Sequence, residues 1–142
     1  MVFLNHYVLS ESGGVTMRHQ SGTPEDSAHP YSPAFIVDDL AFVSGALPTA
    51  SDGSLVEGRG AALNAALKTL ASRLATVNMT LAHVVKLTYF VTDITLRDEA
   101  NEQLIEHFAH PRPARTFVEV TRLPYGANVE IDAVAHRRAR DR

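Results

Sequence analysis

Apolar positions along the chain recur at two spacings, and these predict most of the elements. From residue 60 to residue 77 they fall at Leu63, Ala66, Leu67, Leu70, Leu74 and Val77, intervals of three and four that line one side of a helix. Residues 84–92 (Val-Val-Lys-Leu-Thr-Tyr-Phe-Val-Thr) are β-branched and aromatic, a strand's composition, and Asp93 ends the run in a turn. Residues 35–37 and 40–43 flank Asp38-Asp39, a pair that tolerates turn conformations, so a hairpin is expected there with Ser44-Gly45 closing its second strand.

A second helix is expected over residues 95–108. Thr95 can cap it, Asp98 and Glu99 suit its first turns, and Leu104, Ile105 and Phe108 form its apolar stripe. Residues 114–120 and 129–136 read as two further strands, separated by Leu123-Pro124-Tyr125-Gly126, where Pro and Gly stop either strand. A weaker strand signal lies at 15–20, followed by loop composition to residue 30. The order β, β, β, α, β, α, β, β fits an α+β layer fold, a mixed sheet with both helices on one face.

A chain of 142 residues is one domain, too short for two ordinary domains with a cleft between them, so a cleft would lie between subunits. With 45% apolar and 20% charged residues it has the composition of a globular protein. The absence of cysteine removes disulfides, thiolate nucleophiles and zinc-thiolate sites, and agrees with a cytoplasmic location. The start of the chain lacks a basic leader region, and no run approaches the ~18 apolar residues of a membrane span, so neither export nor membrane attachment is expected. A formal charge of -3 gives no general attraction to nucleic acid. The one basic run, His136, Arg137, Arg138, Arg140 and Arg142, reads as a solvated tail.

Phosphate loops, nucleophile elbows and His-Glu-x-x-His helices are all missing. His107 and His110 have a suggestive spacing, but at a helix end a histidine more often complements the dipole, so no metal is expected. More informative are polar residues among apolar ones. Asn101 precedes Ile105 by four and Phe108 by seven, which puts its amide on the buried stripe and obliges it to find partners. In the strand at 114–120, Arg115 shares a face with Phe117 and Glu119, while Thr116 and Val118 share the other. In the last strand Val129, Ile131, Ala133 and Ala135 form the apolar face. Glu130 projects the other way with Asp132, and by pattern alone is a solvated carboxylate.

Six separated segments, in order, resemble one known family. They are Pro30-Tyr31-Ser32-Pro33-Ala34; Leu40-Ala41-Phe42-Val43-Ser44-Gly45 with Leu47-Pro48; the run from Val84 to Asp93; Asn101; Pro113-Ala114-Arg115-Thr116; and Leu123-Pro124 through Val129-Glu130-Ile131-Asp132-Ala133. Together, over about residues 20 to 136, they resemble the Rid (reactive intermediate deaminase, or YjgF) family. The resemblance implies a chorismate-mutase-like α+β fold, a homotrimer with three inter-subunit clefts, and hydrolysis of an enamine or 2-imino acid to a carbonyl compound and ammonia without a cofactor. By similarity Arg115 would hold the substrate carboxylate and Glu130 would position or activate water. Tyr31, Ser44, Gly45, Asn101, Thr116 and Phe117 would line the cleft. On this reading residues 15–142 are one Rid-like domain and residues 1–14 an extension of unassigned role.

Two features depart from the family: Phe117 stands where a small residue is common, and the segment before Val15 is longer than usual. The first suggests a specialised variant acting on an aminoacrylate-like or aminomuconate-like substrate. A non-catalytic trimer that binds small carboxylates and regulates a partner is the alternative from another class. RNA binding is disfavoured by the acidic balance. If 114–120 and 129–136 pair as a hairpin, Arg115 lies opposite Val134 and Glu130 opposite Glu119. The offset of ~13 Å at ~3.3 Å per residue is too long for one small substrate. The two are therefore expected to meet across a subunit boundary.

Overall fold

A computed structural model of the chain describes residues 29–141. The strand expected at 15–20 and the extension at 1–14 lie outside the described residues. Five strands, β1 (Ala34–Val37), β2 (Leu40–Ala46), β3 (Val84–Val91), β4 (Ala114–Glu119) and β5 (Val129–His136), form one mixed sheet in the order β1-β2-β5-β3-β4. Two helices, α1 (Arg59–Ala75) and α2 (Arg97–His107), accompany it. The α+β class read from the sequence is the fold observed.

Local signals produced most of these elements. The β1-β2 hairpin turns at Asp38, which accepts a φ of 53° as aspartate can. The stripe on α1 is buried as its spacing requires, with Leu63, Leu67, Leu70 and Leu74 each at most 2% exposed. A fully buried leucine contributes roughly 2 kcal/mol, so this face fixes α1 on the sheet. It meets Ala41 and Val43 of β2, Leu87, Tyr89 and Val91 of β3, and the inward residues of β5 in one core. Among the described residues no helix covers the other side of the sheet; Phe42 and Val118 are exposed there.

Four expectations need correction. Residues 114–120 and 129–136 do not form a hairpin. Strand β4 runs parallel to β3, while β5 enters between β2 and β3, antiparallel to both. Two parallel crossovers, β2-α1-β3 and β3-α2-β4, leave β2 and β3 apart, and burying β5 in that gap satisfies both of its backbone edges. At the second helix Asp93, not Thr95, does the capping: its Oδ1 accepts from the Thr95 backbone N–H at 2.9 Å and from the Thr95 hydroxyl at 2.6 Å. A 3₁₀ turn over Ile94–Leu96 follows before α2 begins. The buried row of this segment is Leu96, Ala100, Gln103 and Phe108; Ile105 points outward at 62% exposure, and Asn101 lies at the row's flank, partly buried.

The basic tail is anchored as well. The Arg137 N–H donates to the Asp39 carbonyl at 2.8 Å and Arg138 Nε pairs with Asp39 Oδ2 at 3.1 Å, which ties the end of β5 to the first hairpin. Among the described residues no helix is long and apolar enough to cross a membrane.

Candidate active site

The sequence-derived site residues separate into two groups on opposite faces of the sheet. Arg115 stands in register with Leu87 and Ala133, and so on the helix-covered face. Glu130 is in register with Phe90, which is in turn in register with Val118, on the open face. Three positions separate Leu87 from Phe90 along β3, an odd number, so the two side chains leave the sheet in opposite directions.

Glu130 sits above a bulge. The β2-β5 register shifts between Val43 and Ala46, where Ser44 and Gly45 lie, and the bulge opens a gap that the carboxyl fills. A Cβ on Gly45 would overlap Glu130 Oε1 and stand 2.8 Å from its Cδ, so only glycine lets the carboxyl approach here. Ser44 holds the other wall. Its hydroxyl donates to the Ser32 carbonyl at 2.6 Å and its N–H to the Pro33 carbonyl at 3.0 Å, which pins the segment carrying Tyr31. Burial raises the Glu130 pKa above the ordinary carboxylate value; the Arg73 charge opposes this and Asp132 adds to it.

Near this group lies a groove of about 610 Å³ lined by Tyr31, Leu47, Thr49, Leu55, Arg73 and Tyr125 among others. The Arg73 guanidinium lies 5.8 Å from the centre of the Tyr31 ring.

The second group centres on Arg115. Its Nη2 donates to Asn101 Oδ1 of α2 at 2.7 Å, and its Cζ lies 5.6 Å from the Tyr89 ring centre and 5.1 Å from that of Phe117. Nη1 is buried with no hydrogen-bond partner. Asn101 thus spends its amide oxygen on the arginine, and Phe117, partly buried against the core, supports it from below. Burial lowers the Arg115 pKa, which the neighbouring Tyr89 partly offsets and Arg97 adds to. Burial also pushes Tyr89 up to about 12. Thr116 faces the other way, where its Oγ1 accepts from Lys86 Nζ at 2.5 Å.

Residues not singled out from the sequence complete the picture. Gln103, 3% exposed, accepts from the Tyr89 hydroxyl at 2.9 Å and donates to Asn64 Oδ1 of α1 at 3.0 Å. It falls seven residues after Leu96, so a polar residue on the buried row was the available signal. Arg73 follows Leu70 by three on α1, a charge at the edge of an apolar stripe. Among the described residues no three potential metal ligands cluster; His110 Nε2 instead lies 2.7 Å from Arg112 Nη1.

A five-stranded mixed sheet backed by two helices, with a cationic seat on one face and a half-buried carboxyl on the other, defines a small α+β protein with two separate polar centres. Residues 22–137 match the family described as Endoribonuclease L-PSP, and the chain belongs to that family, the Rid/YjgF proteins. The human protein named 2-iminobutanoate/2-iminopropanoate deaminase is 38% identical over 109 residues, covering 75% of this chain and 79% of its own. Protein HMF1 of Saccharomyces cerevisiae is 35% identical over 113 residues, covering 79% and 88%. Among solved structures, a Thermotoga maritima protein described as a putative endoribonuclease superposes with a TM-score of 0.77 at 34% identity, covering 84% of this chain and 98% of that one. RidA from an Antarctic Psychrobacter gives 0.73 at 28% identity, covering 76% and 89%.

Proposed function

We propose that the protein is an imine deaminase that hydrolyses a reactive 2-imino acid, or the enamine in equilibrium with it, to a 2-oxo acid and ammonia. The observation that carries this reading is Arg115: one nitrogen is committed to Asn101, two rings support the guanidinium, and a buried N–H remains unspent. Such a donor suits a carboxylate, which the arginine fork grips more strongly than a neutral acceptor. The deaminase name of the 38% identical human relative agrees with it.

The chemistry needs only water, a base and a grip on the acid group. A protonated imine is electrophilic at carbon. Water adds its oxygen there as the Glu130 carboxylate takes a proton, giving a carbinolamine. The proton passes to nitrogen, the C–N bond breaks with its electron pair leaving on ammonia, and the remaining hydroxyl loses its proton as the carbonyl forms. Imine and water thus yield oxo acid and ammonium. Much of the acceleration would come from holding water and imine in line.

Because Arg115 and Glu130 leave opposite faces of one sheet, a shared substrate requires two copies of the chain. A homotrimer with three such clefts fits the exposed apolar side chains on the open face, and Tyr31, Ser44 and Gly45 would accompany Glu130 in each cleft while Asn101 and Phe117 accompany Arg115. A cytoplasmic location, where imines form during amino-acid turnover, suits the reaction.

The test is ammonia release from 2-iminobutyrate generated in place by a dehydratase. Added protein should accelerate it. Arg115→Ala should lose about 2 to 5 kcal/mol of transition-state binding, with Arg115→Lys recovering part. No acceleration by the wild type would leave a carboxylate-binding protein without this catalysis.

A further inference from the structure

Arg73 has no part in the scheme above, yet its surroundings are those of a binding group. Its Nη1 is buried and lacks a hydrogen-bond partner, although burying an N–H without one is unfavourable. The guanidinium is held against Tyr31, itself 47% exposed, and both line the 610 Å³ groove. Thr49 and Thr69 share a hydrogen bond at 3.2 Å on the wall of the same groove, and among the described residues no carboxylate lines it. A cation whose described groove neighbours include no carboxylate, with one donor unspent, is arranged to receive an anion. Arg73 is also near enough to Glu130 for its charge to hold that carboxyl down against the effect of burial.

We propose that Arg73 binds a second acidic group, so that the ligands of this protein are dicarboxylates: 2-imino acids, and the matching 2-oxo acids, that carry a distal carboxylate. This rests on the deaminase reading for the reaction but not for the binding. With the α-carboxylate on Arg115 of one copy and the reacting carbon beside Glu130 of another, the distal end of a longer substrate would extend into the groove beside Glu130. Lining residues Leu47 and Leu55 would pack its methylenes. Tyr125 overhangs the same groove, 83% exposed and at a φ of 60°, and would contact the distal end.

Two measurements on the full chain separate this proposal from the reaction itself. In calorimetric titration, 2-oxoglutarate should bind wild-type protein at least 10-fold more tightly than 2-oxobutyrate. Arg73→Gln and Arg73→Ala should erase that preference while Arg73→Lys keeps part of it. In turnover, the ratio of kcat/KM for 2-iminoglutarate to that for 2-iminobutyrate should fall about 10-fold in Arg73→Gln. A purely structural arginine would change stability without moving either ratio. Equal binding of the two oxo acids, no binding of either, or a preference that survives Arg73→Gln overturns the proposal. If neither imine is hydrolysed faster by the wild type, the deaminase reading fails and the titration still decides the role of Arg73.

Discussion

At the residue scale, Gly45 and Glu130 act as a unit. The atom that an alanine at 45 would meet is the far end of a flexible side chain, which can swing away at little cost. Gly45→Ala is therefore expected to leave thermal unfolding nearly unchanged while displacing the carboxyl, and a misplacement of about 1 Å costs on the order of 100-fold in rate. The pH profile carries a second expectation. Burial favours the protonated Glu130, so the pKa in the folded protein is raised. On the deaminase reading the ionised form is the base, so kcat/KM should fall as pH drops through that raised value, at a higher pH than an ordinary carboxylate would give; in Glu130→Gln the residual rate should be flat there. The stability contribution has the opposite direction. It is fully present below the unfolded pKa and is lost as pH rises through the folded one, so Glu130→Gln should melt higher than wild type at neutral pH. Arg115 stood out by pattern as an isolated charge beside Phe117. Glu130 was singled out only through the family resemblance, because alternation assigns every outward residue to solvent and cannot see a bulge opposite.

At the element scale, Gln103 joins α1, α2 and β3 through Asn64 and Tyr89. Gln103→Leu should cost about 1 to 3 kcal/mol in denaturant unfolding, since the buried Tyr89 hydroxyl loses its acceptor. Adding Tyr89→Phe should recover much of that loss, because the orphaned group is then gone; additive losses would show that the bond matters little. The stripe of α1 and the first hairpin were readable because their signals are local. The pairing of β4 and β5 was not. Pro124 and Gly126 announce that the chain turns, but not which strand it returns to, and only the apolar and aromatic residues on both sides of β3 hinted at a central strand. Ile105 shows the same limit on α2: an apolar residue at the edge of a stripe can face outward when small and polar neighbours, Ala100 and Gln103, take the contact.

For the whole molecule, the decisive feature is that one sheet separates the two polar centres. The sequence pointed to sites shared between copies through a hairpin that does not exist; the proposal of shared sites rests instead on the opposite faces from which Arg115 and Glu130 leave the sheet. Mixing Arg115→Ala and Glu130→Ala chains after dissociation should restore activity in the hybrids, since some clefts would regain both side chains. Dead hybrids despite proven exchange would contradict shared sites. The position of β5 has a consequence of another kind. The last strand in sequence occupies the middle of the sheet, so on the ribosome β2 and β3 emerge with nothing yet to join them. Until residues 129–136 have left the exit tunnel, the nascent chain presents two raw strand edges and an uncovered apolar layer, so the sheet can close only near the end of synthesis.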